Sequence, residues 1–132
     1  MLKRGILNPD IARLLAETGH MDTIVVSDAG LPMPCQVERI DLAWKENEPR
    51  YIPVLKAVLE YMVVEKAVLA EELRTVSPDI HREILEILPE GLPVEYVPHT
   101  AFKEQTKQAR GIIRTGEFTP YPSIILVAGC AY

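Results

Sequence analysis

The 132-residue sequence has few of the residues and patterns that mark metalloproteins, disulfide-bonded domains and nucleotide-dependent enzymes. Its two cysteines, Cys35 and Cys130, form no CxxC pair, which predicts free thiols in a reducing compartment. Its three histidines are not at metal-ligand spacing, so we expect no metal. Seven scattered glycines form neither GxGxxG nor GxxxxGK[ST], so no nucleotide cofactor is indicated. Cofactor-free chemistry on a small neutral ligand is the simplest enzymatic option.

Long apolar segments and positive charge are also scarce. The short apolar stretch after Lys3-Arg4 stops at Asn8, well short of the roughly 7–15 residues of a signal-peptide core. The longest later run, 124–129, is too short to cross a bilayer, which takes about 20 residues. A net charge of −5 without a basic stripe argues against nucleic-acid binding. We therefore expect a cytoplasmic protein that binds neither membranes nor nucleic acids.

The composition is that of an ordinary globular chain, with 48% hydrophobic and 25% charged residues. A chain of this length fits one domain, residues 1–132, since domains most often have roughly 100–150 residues. No linker, repeat or low-complexity segment divides it.

Short apolar runs alternate with segments of helical periodicity. Asn8-Pro9-Asp10 and Ser77-Pro78-Asp79 each combine an N-cap residue, a proline at the first helical position and an acid near the helix dipole. They predict two helix starts, and Gly19 is expected to end the first helix. The alternation predicts an α/β fold, a three-layer single domain with a largely parallel central sheet flanked by helices. Predicted strands are 23–27, 37–42, 67–70, 93–97, 111–114 and 124–128, and further helices are 54–62 and 100–108.

His20 follows the first helix directly. One interpretation is structural, because a histidine at a helix C-terminus complements the dipole. The other is catalytic, since imidazole titrates near neutral pH and can both donate and accept a proton. Asp28 lies just past a buried strand, where open α/β sheets bind ligands, although Asp28-Ala29-Gly30 also fits an ordinary turn.

Two further segments carry side chains suited to binding. His99 precedes the predicted helix 100–108 and shares a face with Lys103, although a loop histidine and a solvated lysine are equally compatible with these positions. Tyr121 and Ser123 lie in a polar segment between two strands, where binding residues concentrate, although a plain connection is also possible. His81 is assigned no function.

Taken together, these segments resemble the D-ribose pyranase family of sugar mutarotases. The resemblance covers nearly the whole chain without a large gap. The matching segments are 5–8 (GILN), 15–20 (LAETGH), 28–34 (DAGLPMP), 40–42 (IDL), 70–72 (AEE), 99–106 around His99 and Lys103, and 113–121 (IRTGEFTPY).

The resemblance implies a cofactor-free isomerase of ribose catabolism that interconverts the pyranose and furanose forms of D-ribose. It implies that His20 is the proton donor and that Asp28 holds a sugar hydroxyl or orients His20. It also implies that His99 and the tripeptide Tyr121-Pro122-Ser123 contact the sugar, with Lys103 nearby. Finally, it implies a homodecamer of two stacked pentameric rings, with sites completed across subunits.

One departure concerns Pro122 and Ser123, where the family usually has Ala-Asn after the tyrosine. Serine offers one hydroxyl on a shorter stem, and proline removes a backbone N–H. Substrate preference is therefore open. Two alternatives remain, an L-fucose-type mutarotase and a non-catalytic ribose-binding or transport-accessory protein.

Overall fold

A computed structural model describes all 132 residues and contains one six-stranded sheet with helices on both faces. The strands are β1 (Thr23–Ser27), β2 (Glu38–Asp41), β3 (Val64–Ala70), β4 (Val94–Val97), β5 (Gly111–Arg114) and β6 (Ile124–Ala128). The helices are α1 (Pro9–Glu17), α2 (Tyr51–Tyr61), α3 (Leu73–Val76), α4 (Pro78–Ile87) and α5 (His99–Thr106). None of these helices is long and apolar enough to cross a membrane.

The strand order is β2-β5-β1-β6-β3-β4, and β6 is the strand that runs against its neighbours. The pairs β2–β5, β5–β1 and β3–β4 are parallel, whereas β6 is antiparallel to both β1 and β3. The prediction of a largely parallel sheet is thus confirmed, with one reversed strand. Because of this reversal, the residues before β6 lie at the same edge of the sheet as the residues that follow β1, β3 and β4. We call this side of the sheet the carboxyl edge and the opposite side the amino edge.

Two hydrophobic clusters cover the two faces of the sheet. The larger one packs α1, α2, α3 and α4 against alternate residues of the strands, such as Val26 and Leu126. The smaller one packs Phe102 of α5 against Val25, Val68 and Ile112. Neighbouring strand residues face opposite sides of a sheet, so the apolar runs of the inner strands supply both clusters. This arrangement confirms the three-layer α/β architecture.

The start of α1 agrees with the sequence prediction, but its end does not. The Asn8 side chain accepts hydrogen bonds from the backbone N–H groups of Asp10 and Ile11, both at 3.0 Å. Gly19 was expected to end the helix, yet α1 ends at Glu17 with Thr18 as an extended C-cap residue. The left-handed residue of this segment is Met21, with φ 72°.

Two other local predictions are also corrected. Helix α4 begins at Pro78 as predicted, but Ser77 does not cap it with its side chain. Instead its hydroxyl donates to the carbonyl oxygen of Pro120 at 2.8 Å, which ties the helix start to a loop near β6. Helix α2 begins at Tyr51, three residues before the predicted start, and the short helix α3 was not predicted.

Candidate functional site

The carboxyl edge of the sheet brings Asp28 and Ser123 into direct contact. Asp28 follows β1 and Ser123 precedes β6, so the reversed direction of β6 places them side by side. The Ser123 hydroxyl donates to Oδ2 of Asp28 at 2.9 Å and accepts the backbone N–H of Asp28 at 3.0 Å. The backbone N–H of Gly30 donates to Oδ1 at 2.8 Å. The Asp28 carboxylate is therefore fixed through both oxygens.

His99 joins this edge from the end of β4, where it begins α5. Its ring meets the ring of Tyr121 edge to face, with centroids 5.0 Å apart at 84°, and stacks against Phe102 at 6.1 Å and 14°. Its Nδ1 is buried and has no hydrogen-bond partner. A buried polar atom without a partner is rare, so this nitrogen is suited to binding a ligand or water.

Glu72 holds the backbone of His99 in place. Both of its carboxylate oxygens accept the backbone N–H of His99, at 3.1 and 3.0 Å. Hydrogen bonds from its own backbone N–H and from that of His99 lower the pKa of the Glu72 carboxyl group. Pro98, the N-cap residue of α5, makes no side-chain hydrogen bond to the helix. Glu72 supplies this cap instead.

Partial burial and the nearby Lys103 ammonium lower the pKa of His99 below its usual value. The carboxylates of Glu72 and Asp28 oppose this shift as weaker causes. At neutral pH the imidazole is therefore uncharged, with one nitrogen that donates and one that accepts a hydrogen bond. A neutral, bifunctional ring of this kind suits the hydroxyl groups of a sugar.

A buried carboxylate, Glu117, holds the loop that carries Tyr121. Glu117 is 2% exposed. Its oxygens accept the backbone N–H of Tyr51 at 3.0 Å and the Thr119 hydroxyl at 2.9 Å, and they pair with Arg50 at 2.9 Å. The carboxylate thus links the start of α2 to this loop. Tyr121 itself has φ 69°, a strained conformation that the surrounding contacts must maintain.

Gly116 allows the same loop to pack closely on a neighbouring segment. A methyl group at this position would lie 2.5 Å from the carbonyl oxygen of Glu48 and 2.7 Å from its nitrogen. Backbone hydrogen bonds from Asn47 to Gly116 and from Gly116 to Pro49, at 2.6 and 2.9 Å, hold the two segments together. Any larger residue would push the loop, and the site residues that follow it, away from the sheet.

Tyr51 is fully buried, and its hydroxyl, like Nδ1 of His99, has no hydrogen-bond partner. Burial, with the charges of Asp28 and Glu117, raises the pKa of Tyr51 well above its usual value. The phenol therefore stays protonated at any physiological pH.

Of the remaining predicted site residues, Pro122 is buried in the loop and Lys103 borders a neighbouring groove. The groove has a volume of about 440 Å³ and lies between α5 and residues 32–36. A larger cavity of about 700 Å³ lies beside Arg50, Ser77 and Glu117. Asp28, His99 and Tyr121 line neither of these two cavities.

His20 lies at the amino edge, away from all of these residues. Five residues of extended chain at about 3.3 Å each separate the start of β1 from Asp28, a distance on the order of 15 Å. The His20 side chain is half exposed, and its Nε2 lies 2.9 Å from Oε2 of Glu65. Within one chain, His20 and Asp28 are therefore too far apart for Asp28 to orient His20.

The segment that carries His20 is a tight turn. The backbone N–H of Asp22 donates to the carbonyl oxygen of Gly19 at 3.1 Å, and the Asp22 carboxylate accepts the backbone N–H of Gly19 at 2.8 Å. His20 and Met21 are the central residues, and the left-handed Met21 completes the turn. The turn fixes the backbone at His20, so its ring direction depends on the side-chain contact with Glu65.

Three functional candidates, Glu65, Glu72 and Glu117, were missed by the sequence interpretation. Glu72 lies in segment 70–72 and Glu117 in segment 113–121, two of the segments that resemble the D-ribose pyranase family. That resemblance was the signal that could have identified them. Glu65 gave none. No group of three or more His, Cys, Asp or Glu side chains is placed to hold a metal ion.

Comparisons with known proteins agree on one family. A family model described as "RbsD / FucU transport protein family" matches residues 1–131. A D-ribose pyranase of Bacillus cytotoxicus is 52% identical over 132 residues, all of both chains. One of Geobacillus thermodenitrificans is 50% identical over 98% of this chain and 97% of that one.

Solved structures give the same grouping. RbsD of Bacillus subtilis, complexed with D-ribose, is 41% identical with a TM-score of 0.96 and full coverage of both chains. The fucose mutarotase of Streptococcus pneumoniae, in complex with L-fucose, is 26% identical with a TM-score of 0.79. It covers 99% of this chain and 100% of that one.

Proposed function

This chain belongs to the RbsD / FucU transport protein family, and we propose that it is a D-ribose pyranase, an isomerase that interconverts the pyranose and furanose forms of D-ribose. The observation that carries the proposal is the 52% identity to a D-ribose pyranase over the full length of both chains. The fold adds support, because the ribose-bound relative superimposes with a TM-score of 0.96.

The reaction needs proton transfer and no redox step. Opening a pyranose requires a proton on the ring oxygen and loss of the proton of the anomeric hydroxyl. Closure through another hydroxyl gives the furanose, and re-closure through the original one exchanges the anomers. A well-placed acid/base group contributes roughly 10²–10⁴ to the rate of such a step. We assign this role to His20, and no cofactor enters the mechanism.

The cluster at the carboxyl edge supplies the groups that hold the sugar. Asp28 is 8% exposed and rigidly held, so its carboxylate accepts a sugar hydroxyl at little entropic cost. The unpartnered Nδ1 of His99 and the hydroxyl of Tyr121 fix the ring from the other side. Lys103 lies near the ligand, and Pro122 and Ser123 complete the wall formed by the loop.

A complete site requires a second chain, because His20 and Asp28 lie at opposite edges of the sheet. We propose that His20 of one protomer completes the carboxyl-edge cluster of a neighbour in a homo-oligomer, a decamer of two stacked pentameric rings. The half-exposed side chain of His20 is accessible to such a neighbour. Two exposed, unpaired cysteines fit a cytoplasmic location.

Saturation-transfer NMR tests the activity directly. We expect purified protein to accelerate exchange between the pyranose and furanose signals of D-ribose. Exchange with L-fucose alone would assign the protein to the fucose branch. Binding of ribose without accelerated exchange would indicate a binding or transport-accessory protein.

The shared site has its own test, in which two inactive variants are combined. His20→Ala and Asp28→Asn each remove one half of every site. If protomers of both variants are unfolded, mixed and reassembled, some interfaces join an intact His20 to an intact Asp28. We expect activity to return in the mixture. A mixture that co-assembles but stays inactive would contradict a site built from two chains.

A further inference from the structure

The contact between His20 and Glu65 joins two segments at the amino edge. His20 occupies the turn before β1, and Glu65 is the second residue of β3. The strand β6 lies between β1 and β3, so the two side chains reach across its end. Nε2 of His20 lies 2.9 Å from Oε2 of Glu65, which is hydrogen-bond distance. Glu65 is thus the group that restrains the half-exposed imidazole within the chain.

Glu65 is directed at His20 by an irregularity in the sheet. In the pairing of β3 with β6, Val64 is opposite Ala128 and Lys66 is opposite Val127, so Glu65 is an extra residue without a partner. This is a β-bulge, a feature that bends a strand and changes the direction of a side chain, often beside an active site. Gly129 lies beside the bulge, where a methyl group would be in ordinary van der Waals contact with Cβ of Glu65, at 3.4 Å.

We propose that Glu65 is a positioning residue for His20, fixing its ring direction and tautomer so that Nδ1 exchanges protons with the sugar. This inference rests on the proposed mutarotase function. The carboxylate can only accept a hydrogen bond, so it selects the imidazole form that carries hydrogen on Nε2. A carboxylate that holds one ring nitrogen in this way leaves the other for proton transfer, as in the serine-protease triad.

The proton balance follows from this arrangement. Protonated His20 donates the Nδ1 proton to the ring oxygen while the C1–O bond of the ring breaks, and the bond's electron pair stays on that oxygen. The anomeric hydroxyl then loses its proton to Nδ1 as the carbonyl forms. Nδ1 gives one proton and regains one, while Nε2–H stays hydrogen-bonded to Glu65, whose charge stabilises the imidazolium whenever His20 is protonated.

An exposed ion pair of this kind contributes little to stability, so the carboxylate can be replaced without unfolding the protein. Glu65→Gln keeps the shape and removes the charge. Glu95→Gln is the matched control, because Glu95 pairs with Lys66 from the next strand, is similarly exposed and touches no proposed site residue. Exchange rates for D-ribose are measured by saturation transfer for wild type and both variants, over a range of ribose concentration.

We expect Glu65→Gln to lower kcat by about tenfold or more with little change in KM, because orientation of a reacting histidine is lost. Glu65→Asp, which keeps the charge on a shorter stem, should recover part of the rate. Glu95→Gln should behave as wild type.

The tautomer is read independently from the ring ¹⁵N shifts of His20 in wild-type protein, where we expect hydrogen on Nε2 in the neutral form. A wild-type kcat in Glu65→Gln, a loss matched by Glu95→Gln, or hydrogen on Nδ1 in wild type would each overturn the proposal. Failure of wild-type protein to accelerate ribose exchange would instead refute the proposed function.

Discussion

The hydroxyl of Ser123 and the carboxylate of Asp28 form a reciprocal pair, in which Ser123 donates to Oδ2 at 2.9 Å and accepts the Asp28 backbone N–H at 3.0 Å. Ser123 is 2% exposed, so its hydroxyl is engaged with Asp28 rather than open to solvent. The pair joins the end of β1 to the start of β6. It follows that Ser123 affects sugar binding chiefly through the position of Asp28.

The first prediction concerns this pair. Ser123→Ala leaves a buried N–H and a carboxylate oxygen without partners, which should lower the free energy of unfolding by about 1–3 kcal/mol. Ribose affinity, measured by calorimetry, should fall by roughly two- to twelvefold, the equivalent of about 0.5–1.5 kcal/mol.

Ser123→Asn restores the amide that the family usually has at this position. We expect it to keep or improve ribose binding, since an amide offers an acceptor and two donors. Suppose that Ser123→Ala leaves ribose affinity unchanged while Ser123→Asn, although folded, no longer binds ribose. This loop is then built differently from that of the family, and Ser123 does not belong to the site.

The second prediction is that His20→Ala loses most ribose exchange, by roughly 10²–10⁴-fold, because the acid/base group is gone. Its side chain is half exposed and its ion pair lies at the surface, so stability should change by less than about 1 kcal/mol. Exchange is followed by saturation-transfer NMR, and assembly by size-exclusion chromatography. A wild-type rate would refute the acid/base role, whereas unfolding would show that His20 is structural.

The third prediction concerns pH. The pKa of His99 is lowered in the folded state, so the unfolded chain binds more protons below about pH 6.5. Stability should therefore be unaffected by His99 above that pH and should decrease as the pH falls toward its folded pKa. Thermal unfolding of wild type and His99→Gln is measured from pH 8 to 5 at one protein concentration. We expect the variant to lose less stability over this range than wild type. His81, whose pKa is also lowered, is common to both and cancels in the difference. Equal losses would contradict this role.

The fourth prediction tests the buried carboxylate of Glu117. In Glu117→Gln the new amide N–H faces the donors of Arg50 or Thr119, and we expect a loss of about 1–3 kcal/mol in the free energy of unfolding. Because the loop then shifts Tyr121, ribose affinity should also fall. Denaturant unfolding and calorimetry measure the two effects. The control is Glu83→Gln, because Glu83 is an exposed glutamate that lines the same cavity of about 700 Å³ as Glu117.

The fifth prediction is that dialysis against a strong chelator leaves ribose exchange unchanged, because proton transfer by His20 needs no metal. Elemental analysis before and after dialysis provides the check. A stoichiometric metal whose removal abolishes exchange would replace the mechanism proposed here.

Much of the fold could be predicted from local sequence. The strands β1, β5 and β6 were predicted at their observed bounds, because short β-branched and apolar runs bounded by polar residues specify buried strands. The starts of α1 and α4 followed from their Asn-Pro-Asp and Ser-Pro-Asp signals. The end of α1 and the start of α2 were missed, since element ends depend on tertiary contacts such as the hydrogen bond from the backbone N–H of Tyr51 to Glu117.

The sequence by itself determined the α/β class, the strands and the residue types available for proton transfer and sugar binding, because these depend on local periodicity and side-chain chemistry. Only the tertiary structure decided which of them meet. The reversed direction of β6 brings Ser123 to Asp28, and the pairing of β3 with β6 forms the bulge that directs Glu65 to His20. Both depend on strand order and register, which arise from contacts between residues far apart in the chain and leave no local signal.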